Sequence, residues 1–128
     1  SNMYGVKPST NRTTFINNIR SRYSLASVTI KNISGSVVTS SLLSTGDKVT
    51  IANGSYTSTF TVIIRGDSNS DGKINITDYA VVKRSIQGQT SLNASTRISS
   101  DVNKDGKVNI TDYAIIKRSI QGQTTINQ

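Results

Sequence analysis

The twelve-residue pattern Asp-x-Asn-x-Asp-Gly-Lys-(Ile/Val)-Asn-Ile-Thr-Asp occurs twice in this chain, at residues 67–78 and 101–112, displaced by 34 residues. Aligning 66–90 with 100–124 gives 19 identities in 25 positions, so the stretch after each pattern is duplicated too. An internal repeat of this kind is one supersecondary unit written twice, and the two copies must bury their apolar faces on each other or on a neighbour. This constrains the second half of the chain more tightly than any other feature.

The spacing within each copy points to calcium. Ca2+ takes six to eight oxygens, and a twelve-residue loop supplies them from positions 1, 3, 5, 7, 9 and 12. In the first loop these are Asp67, Asn69, Asp71, the carbonyl of Lys73, Asn75 and Asp78. In the second they are Asp101, Asn103, Asp105, the carbonyl of Lys107, Asn109 and Asp112. Gly72 and Gly106 occupy position 6, where the chain turns too sharply for a side chain. Ile74 and Val108 stand at position 8, where a short strand pairing between the loops is expected to bury them. Position 12 is Asp where the general EF-hand pattern has Glu, which brings the following helix closer to the metal. Asp- and Asn-rich stretches often mark ordinary turns. Two copies in register with every side-chain ligand position filled go well beyond that. The acid inventory agrees: all seven acidic residues are Asp, and only Asp47 lies outside the two loops.

Thr77 and Thr111 are expected to cap the two following helices, and Gly88 and Gly122 to end them. Lys83-Arg84 and Lys117-Arg118 fall in the last turns, where cations suit the helix dipole. The i,i+4 pairs Val82/Ile86 and Ile116/Ile120 are placed to pack the helices together, and Ser91–Ser100 has room for a short middle helix.

Residues 66–124 therefore resemble a dockerin domain, the calcium-dependent plug that binds cohesin modules in cellulosome-type assemblies. The resemblance rests on Gly66 to Asp78, on the helix carrying Lys83-Arg84, and on the repeat ending at Lys117-Arg118. Like a dockerin, the first copy lacks the entering helix of an ordinary EF-hand, because Val62-Ile63-Ile64 is strand-like. The resemblance implies two bound Ca2+ ions and a cohesin partner. It also implies a secreted, extracellular setting, in which the domain attaches a carbohydrate-active or surface protein to a scaffold or cell surface, commonly for polysaccharide degradation. Cohesin contacts in the family lie at loop positions 10 and 11 and on the following helix, here Ile76, Thr77, Lys83 and Arg84, and Ile110, Thr111, Lys117 and Arg118. The Ile-Thr pairs depart from the two small polar residues that many dockerins carry there.

The composition changes at Gly66, which divides the chain into residues 1–65 and 66–128. Ser1-Asn2 reads as a cloning scar. The first part predicts a small β-grasp-like module in the order β-α-β-β-β. Its expected elements are an edge strand at Tyr4-Gly5-Val6, a helix capped by Thr13 or Thr14, and strands at Ser27–Lys31, Lys48–Ile51 and Ser58–Ile64. The fold class is thus α+β: a β-rich module with one helix, then an all-α dockerin with two EF-hand-like loop-helix motifs. The first part's aromatics, Tyr4, Phe15, Tyr23, Tyr56 and Phe60, read as packing residues ahead of a sugar-stacking platform.

Net charge is +8, with seven basic and one acidic residue in 1–65 and eight and six in 66–128. Such a surface favours an acidic partner. The cations are scattered and no nucleic-acid motif is present, so an acidic cohesin face fits better than nucleic acid. No apolar run reaches membrane-spanning length. The chain holds no His, Cys or Glu, which argues against an enzyme. Asp47 is expected to make only local turn hydrogen bonds. The reading is a monomeric interaction module. The alternative is a calcium-stabilised spacer that binds an anionic cell-wall polymer through its basic first half.

Overall fold

The computed structural model describes residues 1–128 as a mixed α/β fold with a four-stranded sheet and four helices. The sheet comprises β1 (Asn2–Met3), β2 (Ser27–Lys31), β3 (Lys48–Asn53) and β4 (Tyr56–Val62), in the spatial order β1-β4-β3-β2. β1 runs parallel to β4 and the other pairs are antiparallel. Helix α1 (Arg12–Arg22) packs against β2. Alternating strand residues face it, and Val6, Ile30, Leu43, Val49, Val62 and Ile64 form the buried cluster beneath, flanked by Phe15 and Ile16 of α1. The first strand lies on Asn2–Met3 and not on Tyr4–Val6. There the Met3 carbonyl accepts from Ile63 N–H at 2.9 Å, and the chain turns away at Gly5, whose φ is +85°.

The cap of α1 is Asn11, not Thr13 or Thr14. The Asn11 side chain accepts from Thr13 N–H at 2.9 Å, while the Thr13 hydroxyl donates to the Thr39 carbonyl at 2.6 Å. Starting the helix there places Arg12 in its first turn, where Nε and Nη2 each donate to Asp47 at 3.0 Å. Asp47 is 2% exposed and also accepts from Ser44 N–H at 2.9 Å. The local turn bond is present, but Asp47 is in addition half of a buried bidentate ion pair that spans 35 residues of sequence.

Helices α2 (Ile76–Ile86), α3 (Ala94–Ser100) and α4 (Ile110–Ile120) make up the second half. α2 packs on α4, with Val82, Val102, Ile116 and Ile126 buried between them. Of the expected i,i+4 pairs only Val82 and Ile116 are buried; Ile86 and Ile120 remain open to solvent. Tyr79 and Tyr113 stack across the helix pair at 4.4 Å between ring centroids, with their hydroxyls hydrogen-bonded to each other. The expected strand pairing at Ile74 and Val108 does not form. Both side chains pack, half-buried, against the cluster, which Ile126 from the C-terminal tail enters as a further member. The tail is held by Gln128, whose side chain accepts from Arg65 N–H at 2.6 Å and donates to the Arg65 carbonyl at 2.9 Å.

Candidate metal centre

The six loop carboxylates fall into two groups, Asp67/Asp71/Asp78 and Asp101/Asp105/Asp112, whose oxygens lie within 4.8 Å of one another in each group. The backbone makes this possible. Ser70 and Lys104, at position 4, and Gly72 and Gly106, at position 6, all adopt positive φ, which curls each loop around its centre. The loop amides then turn inward. In loop 1, Asp67 Oδ1 accepts from Asp71 N–H at 3.0 Å and Oδ2 from Gly72 N–H at 3.1 Å. In loop 2, Asp101 accepts from Asp105 N–H at 3.1 Å and from Gly106 N–H at 2.8 Å.

Each loop closes on its helix through one carboxylate. Asp78 accepts from Asn75 N–H at 2.9 Å and Asp112 from Asn109 N–H at 3.0 Å. The caps are therefore Asn75 and Asn109, whose side chains accept from the N–H groups of Thr77 and Thr111 at 3.0 Å. The threonines sit two residues too late to cap. Because position 12 is also the third helical residue, the reciprocal half of the capping box and the last ligand position are the same residue. Gly88 and Gly122 end the helices as expected, at φ +74° and +75°.

The donor set fits a hard cation. Asn69 Oδ1, at ligand position 3, is buried without any hydrogen-bond partner, which is costly unless something in the loop engages it. Three carboxylates per loop crowd together with no cation side chain among them. Burial, and secondarily the charge of Asp67, push Asp78 up to about 6, and burial also raises Asp67 and Asp112. Those oxygens, with the Lys73 and Lys107 carbonyls, are what each loop could offer to Ca2+.

The loops differ in surroundings. Loop 1 lies against the sheet half: Asp67 Oδ2 also accepts from Thr45 N–H at 2.9 Å, and the Gly72 carbonyl accepts from Ser9 N–H at 2.7 Å. From the other side, the hydroxyl of Ser99 donates to the Asp67 carbonyl and that of Ser100 to Ser68 Oγ, both at 2.7 Å. Loop 2 is held from outside only by the Arg65 guanidinium, which donates to the Asp101 carbonyl at 3.5 Å; no outside amide reaches its carboxylates. Asp105 is exposed, and the Lys107 N–H it accepts lowers its pKa. Nothing in the sequence marked Thr45 or Ser9 as neighbours of a calcium loop, because they act through backbone N–H groups.

Residues 65–121, under half the chain, match the family model described as Dockerin type I domain. The chain carries a dockerin domain. Calcium-dependent binding to a cohesin is the general activity of such a domain, which is itself non-catalytic. Neither a curated protein nor a solved structure matches the chain. No helix is long and apolar enough to cross a membrane.

On the dockerin's outer surface, Ile76 and Ile110 are 65% and 64% exposed. α2 and α4 run antiparallel, so the start of one helix meets the end of the other. Ile76 shares a shallow hollow of about 130 Å3 with Tyr79, Lys117, Ile120 and Gln121. Ile110 shares one of about 140 Å3 with Tyr113, Lys83, Ile86 and Gln87. Lys83 thus neighbours Ile110 and Lys117 neighbours Ile76, the reverse of the grouping by sequence copy. Ile86 and Ile120, read from sequence as core, belong to these hollows.

Proposed function

We propose that this dockerin holds two Ca2+ ions, one per loop, and presents its cohesin site twice on opposite ends of the α2–α4 pair. The ligands are Asp67, Asn69, Asp71, the Lys73 carbonyl, Asn75 and Asp78 in one loop, and Asp101, Asn103, Asp105, the Lys107 carbonyl, Asn109 and Asp112 in the other. Asn75 and Asn109 would engage the metal less directly than the carboxylates, since their side-chain oxygens already accept from the helix-capping N–H groups. The partner contacts are Ile76, Thr77, Lys117 and Arg118 at one end and Ile110, Thr111, Lys83 and Arg84 at the other. The module works by binding and not by catalysis. It attaches the polypeptide that carries it, a secreted carbohydrate-active or surface protein, to a cohesin on a scaffold or cell surface.

The observation that carries this reading is the pair of matched hollows, each with a large isoleucine left exposed beside a lysine. An apolar anchor flanked by cations suits an acidic cohesin face, which would steer association at low ionic strength. Because the hollows are near copies, a cohesin could engage either end after a half-turn of the dockerin. Charging one end, with Ile76→Asp and Thr77→Asp, should leave affinity near wild type, and Ile110→Asp with Thr111→Asp should behave alike. The combined variant should lose binding by far more than the sum of the separate effects. Loss of binding from one end alone would defeat the two-site reading, and retention by the combined variant would remove both hollows from the interface.

A further inference from the structure

A broad, open cavity of about 740 Å3 lies far from this chemistry in sequence, between α1 and the sheet. Its floor is apolar, built from Val6, Ala26, Phe15 and Ile51. Its rim carries Tyr4, Tyr23 and Tyr56, which are 45%, 59% and 64% exposed. Three exposed tyrosines around one apolar opening exceed what packing of this module requires, and tyrosine is a residue of binding surfaces. The rings are placed. Tyr4 lies under the Arg65 guanidinium at 4.9 Å and accepts from Asn2 Nδ2 at 3.2 Å. Tyr56 accepts from Ser58 Oγ at 2.8 Å.

We propose that this cavity receives apolar side chains of an acidic peptide segment belonging to a partner protein. The lining matches a pocket for apolar groups with a few polar contacts at its mouth, and its volume leaves room for more than one side chain. The charge selects the flanks. Lys7 is the one charged residue in the lining, and Arg20 and Arg22 end the helix that contributes Ile19 and precedes Tyr23. The only carboxylate of residues 1–65, Asp47, is sealed in its pair with Arg12. An acidic segment therefore meets Lys7 at the lining and no opposing acid. A neutral sugar chain suits the site less well. The lining has no carboxylate, and the Thr10 hydroxyl is engaged with the Lys7 carbonyl at 2.7 Å.

The test uses the full chain with calcium and short fluorescent peptides of Asp and Glu around a central Phe. Matched peptides carry Ala at the centre, or Lys in place of the acids, and a neutral oligosaccharide is run beside them. Anisotropy should show binding of the Asp/Glu–Phe peptide that weakens about tenfold or more on removal of Phe. The Lys peptide should not bind. Asn53→Trp, at an exposed position of the lining, should fill the mouth and abolish binding, and Lys7→Glu should weaken it with a reduced salt dependence. Tyr23→Ser provides a second rim variant should the tryptophan disturb the sheet. No binding of the Phe peptide, equal binding of the Ala peptide, or retention by both rim variants would overturn the proposal. Binding of the oligosaccharide alone would assign the cavity to glycans.

Discussion

The two calcium loops share nine of twelve residues, yet one is wedged into the molecule and the other lies at its surface. Their internal geometry is almost the same. Both use positive φ at positions 4 and 6, and both close through an Asn cap with an Asp at position 12. Their surroundings are not. Asp67 receives a third amide, Thr45 N–H, from another part of the fold, and Asp101 receives none. Burial pushes Asp67 and Asp78 of the first loop and Asp112 of the second toward protonation, whereas exposed Asp105 of the second loop is drawn the other way by a loop amide, Lys107 N–H. Repeated sequence thus sets the loop, and non-repeated sequence sets how firmly it is held. Loop 1 is expected to keep its metal longer, because amide donors fixed by neighbouring elements pre-orient its first ligand.

Removal of calcium should have the largest effect on this comparison. Each loop gathers three carboxylates over a small core, so metal binding and folding of the helical half are coupled. Calorimetry with excess chelator should show the helical transition lost and the sheet transition retained. Graded chelation followed by NMR should release loop 2 before loop 1. Simultaneous release would mean that the contacts from Thr45 and Ser9 add nothing to metal retention.

The brace itself can be broken from a distance. Arg12 holds Asp47, Asp47 holds Ser44 N–H, and the next residue donates to Asp67. Arg12→Met leaves a buried, unpaired carboxylate and should cost about 3–5 kcal/mol in chemical denaturation of the sheet half. Calcium release from loop 1 should accelerate while loop 2 stays as in wild type. Equal acceleration in both loops, or in neither, would separate the ion pair from the brace.

A matched glycine pair isolates local packing from conformational strain. Gly72 and Gly106 share φ near +80°, so alanine strains the backbone by about 1–2 kcal/mol at either position. A Cβ on Gly72 would stand 2.5 Å from the Leu43 carbonyl and 2.9 Å from Leu42 Cβ, whereas one on Gly106 meets nothing within 4 Å. Overpacking should add about 1–3 kcal/mol for Gly72→Ala alone. Thermal melts in saturating calcium give the difference directly, and equal losses would show that the Leu42–Leu43 segment yields to the loop.

Residues that act through side-chain chemistry in a fixed local frame were legible in the sequence. The carboxylate spacing, the position-6 glycines, the helix ends and three of the four strands all follow from patterns a few residues long. The caps were misplaced by two residues because Asn75 and Asn109 look like ligands, and one residue serves both the loop and the helix. The Arg12–Asp47 pair, the Thr45 amide and the Gln128 clasp were not legible, since each joins segments at least 22 residues apart and two of them use backbone groups. Ile86 and Ile120 carry the spacing of core residues, but the antiparallel crossing leaves them at the ends of the pair. Periodicity gives the face of a helix and not how far along it the neighbour extends.

The smallest expected effect tests how deep the asymmetry of the loops reaches. Tyr79 and Tyr113 come from equivalent positions of the two copies and meet each other, ring on ring and hydroxyl to hydroxyl. Each is the residue directly after the last ligand of its own loop, so a difference between loops could be transmitted to them first. Their surroundings are otherwise matched: both are half-buried, and each lines its own hollow beside an exposed isoleucine. Tyr79→Phe and Tyr113→Phe each remove one hydroxyl from a shared hydrogen bond and keep the stack. Both should lower the melting temperature of the helical half slightly, by less than Gly106→Ala, and by the same amount. The double variant should add little, because either change alone already breaks the bond. A larger loss for Tyr79→Phe would show that the bracing of loop 1 extends through Asp78 into α2. Equal losses would confine the asymmetry to the loops and leave the helix pair, and the two hollows at its ends, equivalent.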